Sequence, residues 1–140
     1  MKPNLIIVTS TLALVLGGCS AAPVAAPTTS APTPPANGGT YGSVQELKDA
    51  FVEAGGICES WDQSNHVTKA AESGSCSDQN VMSTYLSKED ITSMISSIKA
   101  LNEEVDYESD AVWLTGENWV INDPAAAELR GKLGGVLVTF

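Results

Sequence analysis

The sequence is poor in the side chains that most catalysis uses. It has one histidine, His66, and three cysteines, with no CxxC pair. One imidazole permits a single general base of that kind. No G-x-S-x-G elbow, S-x-x-K, H-E-x-x-H or phosphate-cradling glycine loop occurs. His66, between Asn65 and Val67, reads as a surface-loop residue. Basic residues are scarce too, seven against seventeen acids for a formal charge of −10. With no Lys/Arg cluster to offset it, such a surface repels phosphate backbones and excludes nucleic acid as a partner. Long hydrophobic runs are missing as well. Leu5 to Leu16 is twelve residues, which as a helix spans about 18 Å against a hydrocarbon core of about 30 Å. That length suits a signal-peptide core and not a membrane anchor.

What is present starts with that run. Lys2 precedes it and Leu16-Gly17-Gly18-Cys19 closes it, an arrangement that resembles the lipobox of bacterial lipoproteins. The resemblance implies a signal peptide over residues 1–18. Cys19 then becomes the first mature residue and carries a diacylglycerol thioether, with palmitate-type acyl chains. Two or three chains hold a protein stably on a bilayer. The expected location is the extracytoplasmic face of the cell membrane, with lipid as the only membrane attachment. Of the basic residues only Lys2 precedes Cys19, whereas every acid follows it.

Residues 19–42 carry no charge and are rich in Ala, Pro, Thr, Ser and Gly. Five prolines between Pro23 and Pro35 favour extended PPII geometry, and the stretch has too little apolar surface to fold. It reads as a disordered tether, about 60 Å long if fully PPII. Residues 43–140 remain for one domain.

Ser43-Val44-Gln45-Glu46 reads as a capping box, and Val44, Leu47 and Phe51 share one face of a helix expected over about 44–54. Alternation suggests strands at 57–61, 67–73 and 81–86, the last two joined through Gly74-Ser75-Cys76-Ser77-Asp78. Ser87 N-caps a second helix whose apolar positions are Ile91, Met94, Ile95, Ile98 and Leu101. Residues 111–114 and 118–121 form a hairpin across Thr115-Gly116-Glu117. Asp123-Pro124 opens a third helix with Ala126, Leu129 and Leu133 inside. The near-continuous apolar run Val136–Phe140 suggests a central strand. The order α-β-β-β-α-β-β-α-β indicates an α+β fold, a mixed and mainly antiparallel sheet with two or three helices packed on one face.

Cys58 and Cys76 are the remaining thiols, and in an oxidising compartment they most simply pair with each other. A thiolate metal site with His66 as third ligand is the rival, without a CxxC or a second histidine to support it. Asp106, Glu108, Asp110 and Glu117 fall on slots 1, 3, 5 and 12 of a calcium-binding loop. The sixth slot is Ala111 instead of glycine, and the next residues look like strand; a solvated acidic loop is the competing reading. Trp61, Trp113 and Trp119 are expected to be core or core-edge residues, with Trp61 and Trp119 as the binding-surface candidates if they are exposed side by side.

Gly55-Gly56-Ile57-Cys58, Trp61, Ala70 to Cys76, Gly116 to Asn122 and Leu133-Gly134-Gly135 carry a resemblance to a group of small actinobacterial cell-envelope lipoproteins. It covers roughly residues 44–140 and implies a shared fold and an envelope location; the acidic stretch 103–110 departs from it. The group brings no activity with it. The function expected is therefore a lipid-anchored, non-enzymatic binding or interaction module without a cofactor or catalytic residues, meeting an envelope protein or polysaccharide. The alternatives are an envelope enzyme working through carboxylates or His66, and a calcium-responsive module.

Overall fold

The structure, a computed structural model, describes residues 32–140. The expected signal peptide, the expected lipobox with Cys19 and most of the expected tether lie outside the described residues. The elements are α1 (Val44–Glu53), β1 (Glu72–Ser77), β2 (Asn80–Thr84), α2 (Lys88–Glu104), β3 (Val112–Thr115), β4 (Trp119–Asn122), α3 (Ala126–Leu133) and β5 (Val136–Thr139). Their class is α+β, in the order expected except for one strand. Residues 57–61 form none; the neighbouring Asp62 makes a single antiparallel bridge to Ser75.

The strands make one sheet in the order β1-β2-β4-β3-β5, every neighbouring pair antiparallel. The expected centre of the sheet is thus corrected: β5 is an edge strand, hydrogen-bonded to β3 alone. Its apolar run has a different cause. Leu137 packs against the core on one face, while Phe140, just past the strand, stacks on Trp113 with ring centroids 4.5 Å apart.

Strand alternation sends neighbouring residues to opposite faces, and each face has its own core. On one side Met82, Leu114, Trp119 and Ile121 meet Val44, Leu47 and Phe51 of α1 and Ala126, Leu129 and Leu133 of α3. On the other, Val120, Tyr85 and Trp113 meet Ile91, Met94, Ile95 and Ile98 of α2. Two helices therefore share a face and the third lies opposite. The α2 side is the looser: only Ile91 and Met94 of that 17-residue helix are buried, and Leu101 is 57% exposed.

The first two helix starts follow the sequence closely. Ser43 Oγ accepts from Glu46 N at 3.2 Å, while Glu46 reaches back to Gly42 N at 2.9 Å, one residue beyond the usual box. Val44 N donates to Glu72 at 2.8 Å, which fastens the start of α1 to β1. Ser87 Oγ caps α2 through Asp90 N at 3.2 Å. The third start departs: Asp123 and Pro124, expected as N-cap and first residue of the helix, stand in the turn before it, where Asp123 accepts from Ala125 N at 2.6 Å, while α3 begins at Ala126 with Ala125 as N-cap and no side-chain cap.

Gly74 and Ser75, expected in a turn, lie inside β1. A Cβ on Gly74 would stand 2.4 Å from the Trp61 ring, so glycine is there to let an aromatic ring lie on the strand. The Cys58–Cys76 disulfide then ties the loop after α1 to β1, with Cα atoms 4.8 Å apart.

The fold also begins earlier than residue 43. Gly38 N donates to Pro35 O at 2.8 Å, Gly135 N to Ala36 O at 3.2 Å and Glu117 N to Gly39 O at 3.1 Å. The Asn118 side chain bonds both the N–H and the carbonyl of Tyr41. Residues 35–41, assigned above to the tether, are part of the packed unit.

Candidate functional site

The loose packing of α2 leaves a cavity of about 360 Å³ between the helix and its face of the sheet, a size in the range of small-ligand sites. Its walls are Val67, Val81, Met94, Ile98, Trp113 and Val120. Register explains why these residues meet: Val81 faces Asn122, Ser83 faces Val120, and Trp113 faces Asn122, all on the α2 side. The loop 65–70 closes the outer edge. Asn65 and Lys69 take positive φ there, 53° and 67°, and the Asn65 side chain accepts from Ser73 N at 2.8 Å. Val67 N donates to Ser73 Oγ at 3.1 Å. Lys69 Nζ reaches across to Ser93 Oγ of α2 at 2.7 Å, joining loop to helix.

Trp113 lines one wall, and its Nε1–H, buried without a hydrogen-bond partner, is enclosed by protein and does not open into the cavity. The polar character of the site is set by charge. No acid lines the cavity, although the chain carries seventeen, and Lys69 at its edge forms no ion pair among the described residues.

Ser83 and Tyr85 complete the lining. Ser83 Oγ donates to the Tyr85 hydroxyl at 3.2 Å. Burial pushes the Tyr85 phenol above its usual 10.0 and the Asp90 charge adds to this, against the Ser83 bond. The fold holds the neutral phenol, so the unfolded chain releases its proton first as pH climbs past 10.0. Stability is complete below that pH and falls as pH rises through the folded value. Tyr41 is displaced in the same direction, by burial and then by Glu53. Thermal unfolding followed from pH 8 to 12 should therefore show a fall in melting temperature above about pH 10 that is shallower in Tyr85→Phe and not abolished, since Tyr41 remains.

The residues singled out from the sequence are placed elsewhere. Trp119 is fully buried and offers no surface. Its Nε1 donates to the carbonyls of Gly38 (3.3 Å) and Gly39 (3.2 Å), and a Cβ on Gly116 would sit 2.0 Å from its indole. Trp61 is half-buried over Gly74 at the edge of the α1/α3 core, its Nε1 also unpaired. His66 is exposed on the 65–70 loop.

The four calcium candidates do not converge. Asp106, Glu108 and Asp110 border an open groove beside Phe140. Glu117 accepts from Asn37 at 3.0 Å and lies 3.6 Å from Lys88 Nζ. The reason is local geometry: α2 runs on to Glu104, and β3 carries the chain away at about 3.3 Å per residue before Glu117 is reached. Among the described residues no group of three or more His, Cys, Asp or Glu side chains is placed to hold a metal ion.

Sequence reasoning passed over Trp113, Lys69 and Tyr85 as site residues. The signal that existed was the run Val81-x-Ser83-x-Tyr85 beside Val120-x-Asn122, a sheet face of small and polar residues too slight to fill the space under a helix. No family model, curated protein or solved structure matches this chain.

Proposed function

We propose that the protein is a lipid-anchored, extracytoplasmic binding module whose ligand site is the cavity beneath α2. The observation that carries the binding reading is the cavity of about 360 Å³ between α2 and the sheet, walled mainly by apolar side chains and lined by no acid. The anchored setting is supported by Leu16-Gly17-Gly18-Cys19 behind an apolar leader, by the Pro-rich stretch after it, and by the resemblance to actinobacterial envelope lipoproteins. The disulfide adds support, since such bonds persist in oxidising compartments.

The binding test uses the full chain with Cys19→Ser, which lacks the lipid-bearing thiol, and decan-1-ol as a neutral apolar probe with one oxygen. Saturable one-to-one binding is expected to move the Trp113 indole N–H resonance. That of Trp119, already bonded to Gly38 and Gly39, should stay in place. No saturation, or equal shifts of all three indole signals, overturns the site. The anchoring is tested by labelling cells with radioactive palmitate: label should enter the wild-type protein and be missing from Cys19→Ser. No label in wild type, or equal label in Cys19→Ser, removes the lipid anchor from this reading.

A further inference from the structure

We infer that the ligand of the α2 cavity is a small amphipathic monocarboxylate, its apolar body between sheet and helix and its carboxylate on Lys69. This rests on the cavity being the binding site and adds the class of molecule it takes. Body and head follow from separate observations. The walls Val67, Val81, Met94, Ile98 and Val120 offer apolar surface, and a volume of about 360 Å³ admits one small molecule rather than a diacyl lipid.

The head follows from charge. The chain has net charge −10, so its field repels anions generally. On the cavity wall the pattern differs: no Asp or Glu lines it and the one ionic side chain is Lys69, although the charge of Asp90 reaches the Tyr85 phenol from outside the lining. The ammonium is held at the rim by a hydroxyl, Ser93 Oγ at 2.7 Å. A neutral hydroxyl leaves two ammonium hydrogens and the full positive charge for a ligand. A carboxylate supplies charge-assisted acceptors, the strong kind. The neighbouring hydroxyls and amide, Thr68, Ser97 and Asn122, are neutral and penalise no anion.

A cationic amphiphile would meet Lys69 as a like charge, and a neutral one would leave it unused.

The experiment compares three ten-carbon probes, decanoate, decan-1-ol and decyltrimethylammonium, by calorimetry on the full chain carrying Cys19→Ser, below the critical micelle concentration of the two ionic probes and the solubility limit of decan-1-ol. Decanoate is expected to bind at least ~10-fold more tightly than decan-1-ol, the value of one charge-assisted bond, and the ammonium probe more weakly than the alcohol. Lys69→Gln, at an exposed position, should erase the preference for decanoate, read as the ratio of the two affinities, since loss of the Ser93 bond acts on both probes and loss of the charge on decanoate alone. Salt should weaken decanoate alone. If decan-1-ol binds and Lys69→Gln leaves the decanoate-to-decanol ratio unchanged, the carboxylate assignment is wrong while the cavity stands as a binding site. If neither probe binds, both readings fall. Far-ultraviolet circular dichroism of Lys69→Gln guards against a folding defect, and Lys69→Arg, which keeps the charge, should keep the preference.

Discussion

Trp119→Ala is expected to cost about 3–5 kcal/mol, the range for removing a fully buried large aromatic. That is a large part of the roughly 5–15 kcal/mol that holds a domain of this size together. Three losses coincide. The indole is completely enclosed at the centre of the α1/α3 core, and its volume would become a cavity that β4 and α1 cannot collapse to fill. Its Nε1 bonds to the Gly38 and Gly39 carbonyls would vanish. The edge-on contact with Tyr41, centroids 5.9 Å apart, would go with them. Urea unfolding should show a lower midpoint, and limited proteolysis should cut first within residues 35–41, whose lateral contacts depend on that ring. Trp119→Phe separates packing from hydrogen bonding: it should lose only about 1–2 kcal/mol, as most of the ring stays and one donor is removed. A Trp119→Ala protein that unfolds like wild type would contradict the placement of this residue. Trp119 is thus unsuited to a test of ligand binding, because its loss weakens the whole fold.

The second large effect is expected from the disulfide. Cys58 and Cys76 close a loop of 18 residues, for which the chain-entropy account gives about 3 kcal/mol. In a domain of about 100 residues each kcal/mol moves the melting temperature by about 4–8 °C, so the Cys58→Ser/Cys76→Ser protein should melt about 12–24 °C lower. The bond matters more than its length suggests because the segment between α1 and β1 has no strand or helix of its own. It is held by the Asp62–Ser75 bridge, the Trp61 ring on Gly74, and the bond between Asn65 N and Ser73 O at 3.1 Å. Without the covalent link that segment is the first part expected to open, carrying the 65–70 loop with it. Calorimetry of oxidised and reduced protein measures the effect; a difference below about 5 °C, near 1 kcal/mol, would show that the segment is held by its other contacts.

The three helices were legible because their apolar positions and caps are local features. Ser43 and Ser87 announce their helices without reference to anything distant, whereas Asp123 marks the turn before α3 and not its cap. The strands were legible in number to within one, yet their neighbours were not, because pairing is decided by residues far apart in the chain. Val136 to Phe140 reads as a buried central strand from hydrophobicity alone. At the edge of the sheet the same residues are accounted for by Leu137 on one face and the Phe140–Trp113 stack beyond the strand end. Gly74 and Ser75 look like turn residues until the Trp61 ring is seen to need a bare backbone beneath it.

The apolar positions of α2 read as a face buried against a sheet, and their partial burial comes from the other side. Val81, Ser83, Val120 and Asn122 are too small to fill the space below the helix. A cavity is a mismatch between two surfaces, and neither surface announces it by itself. The acidic run around Asp106 shows the reverse error, a spacing that fits calcium in one dimension and is pulled apart by β3 in three.

Residues 35–41 also decide how the molecule bears tension. A pull on the N-terminal end reaches the fold at Ala36, Gly38 and Gly39. There it is met by Gly135 at the start of β5, by Glu117 in the β3–β4 turn and by the Trp119 indole. The disulfide between Cys58 and Cys76 lies downstream of that entry point and carries none of the first strain. A rising force should therefore peel residues 35–41 away in a small initial step while the sheet, the bridge and the α2 cavity stay whole. The chain would gain several ångströms of reach before the α2 side is disturbed, with the most distant residues in sequence, 116 to 135, acting as the clasp that yields.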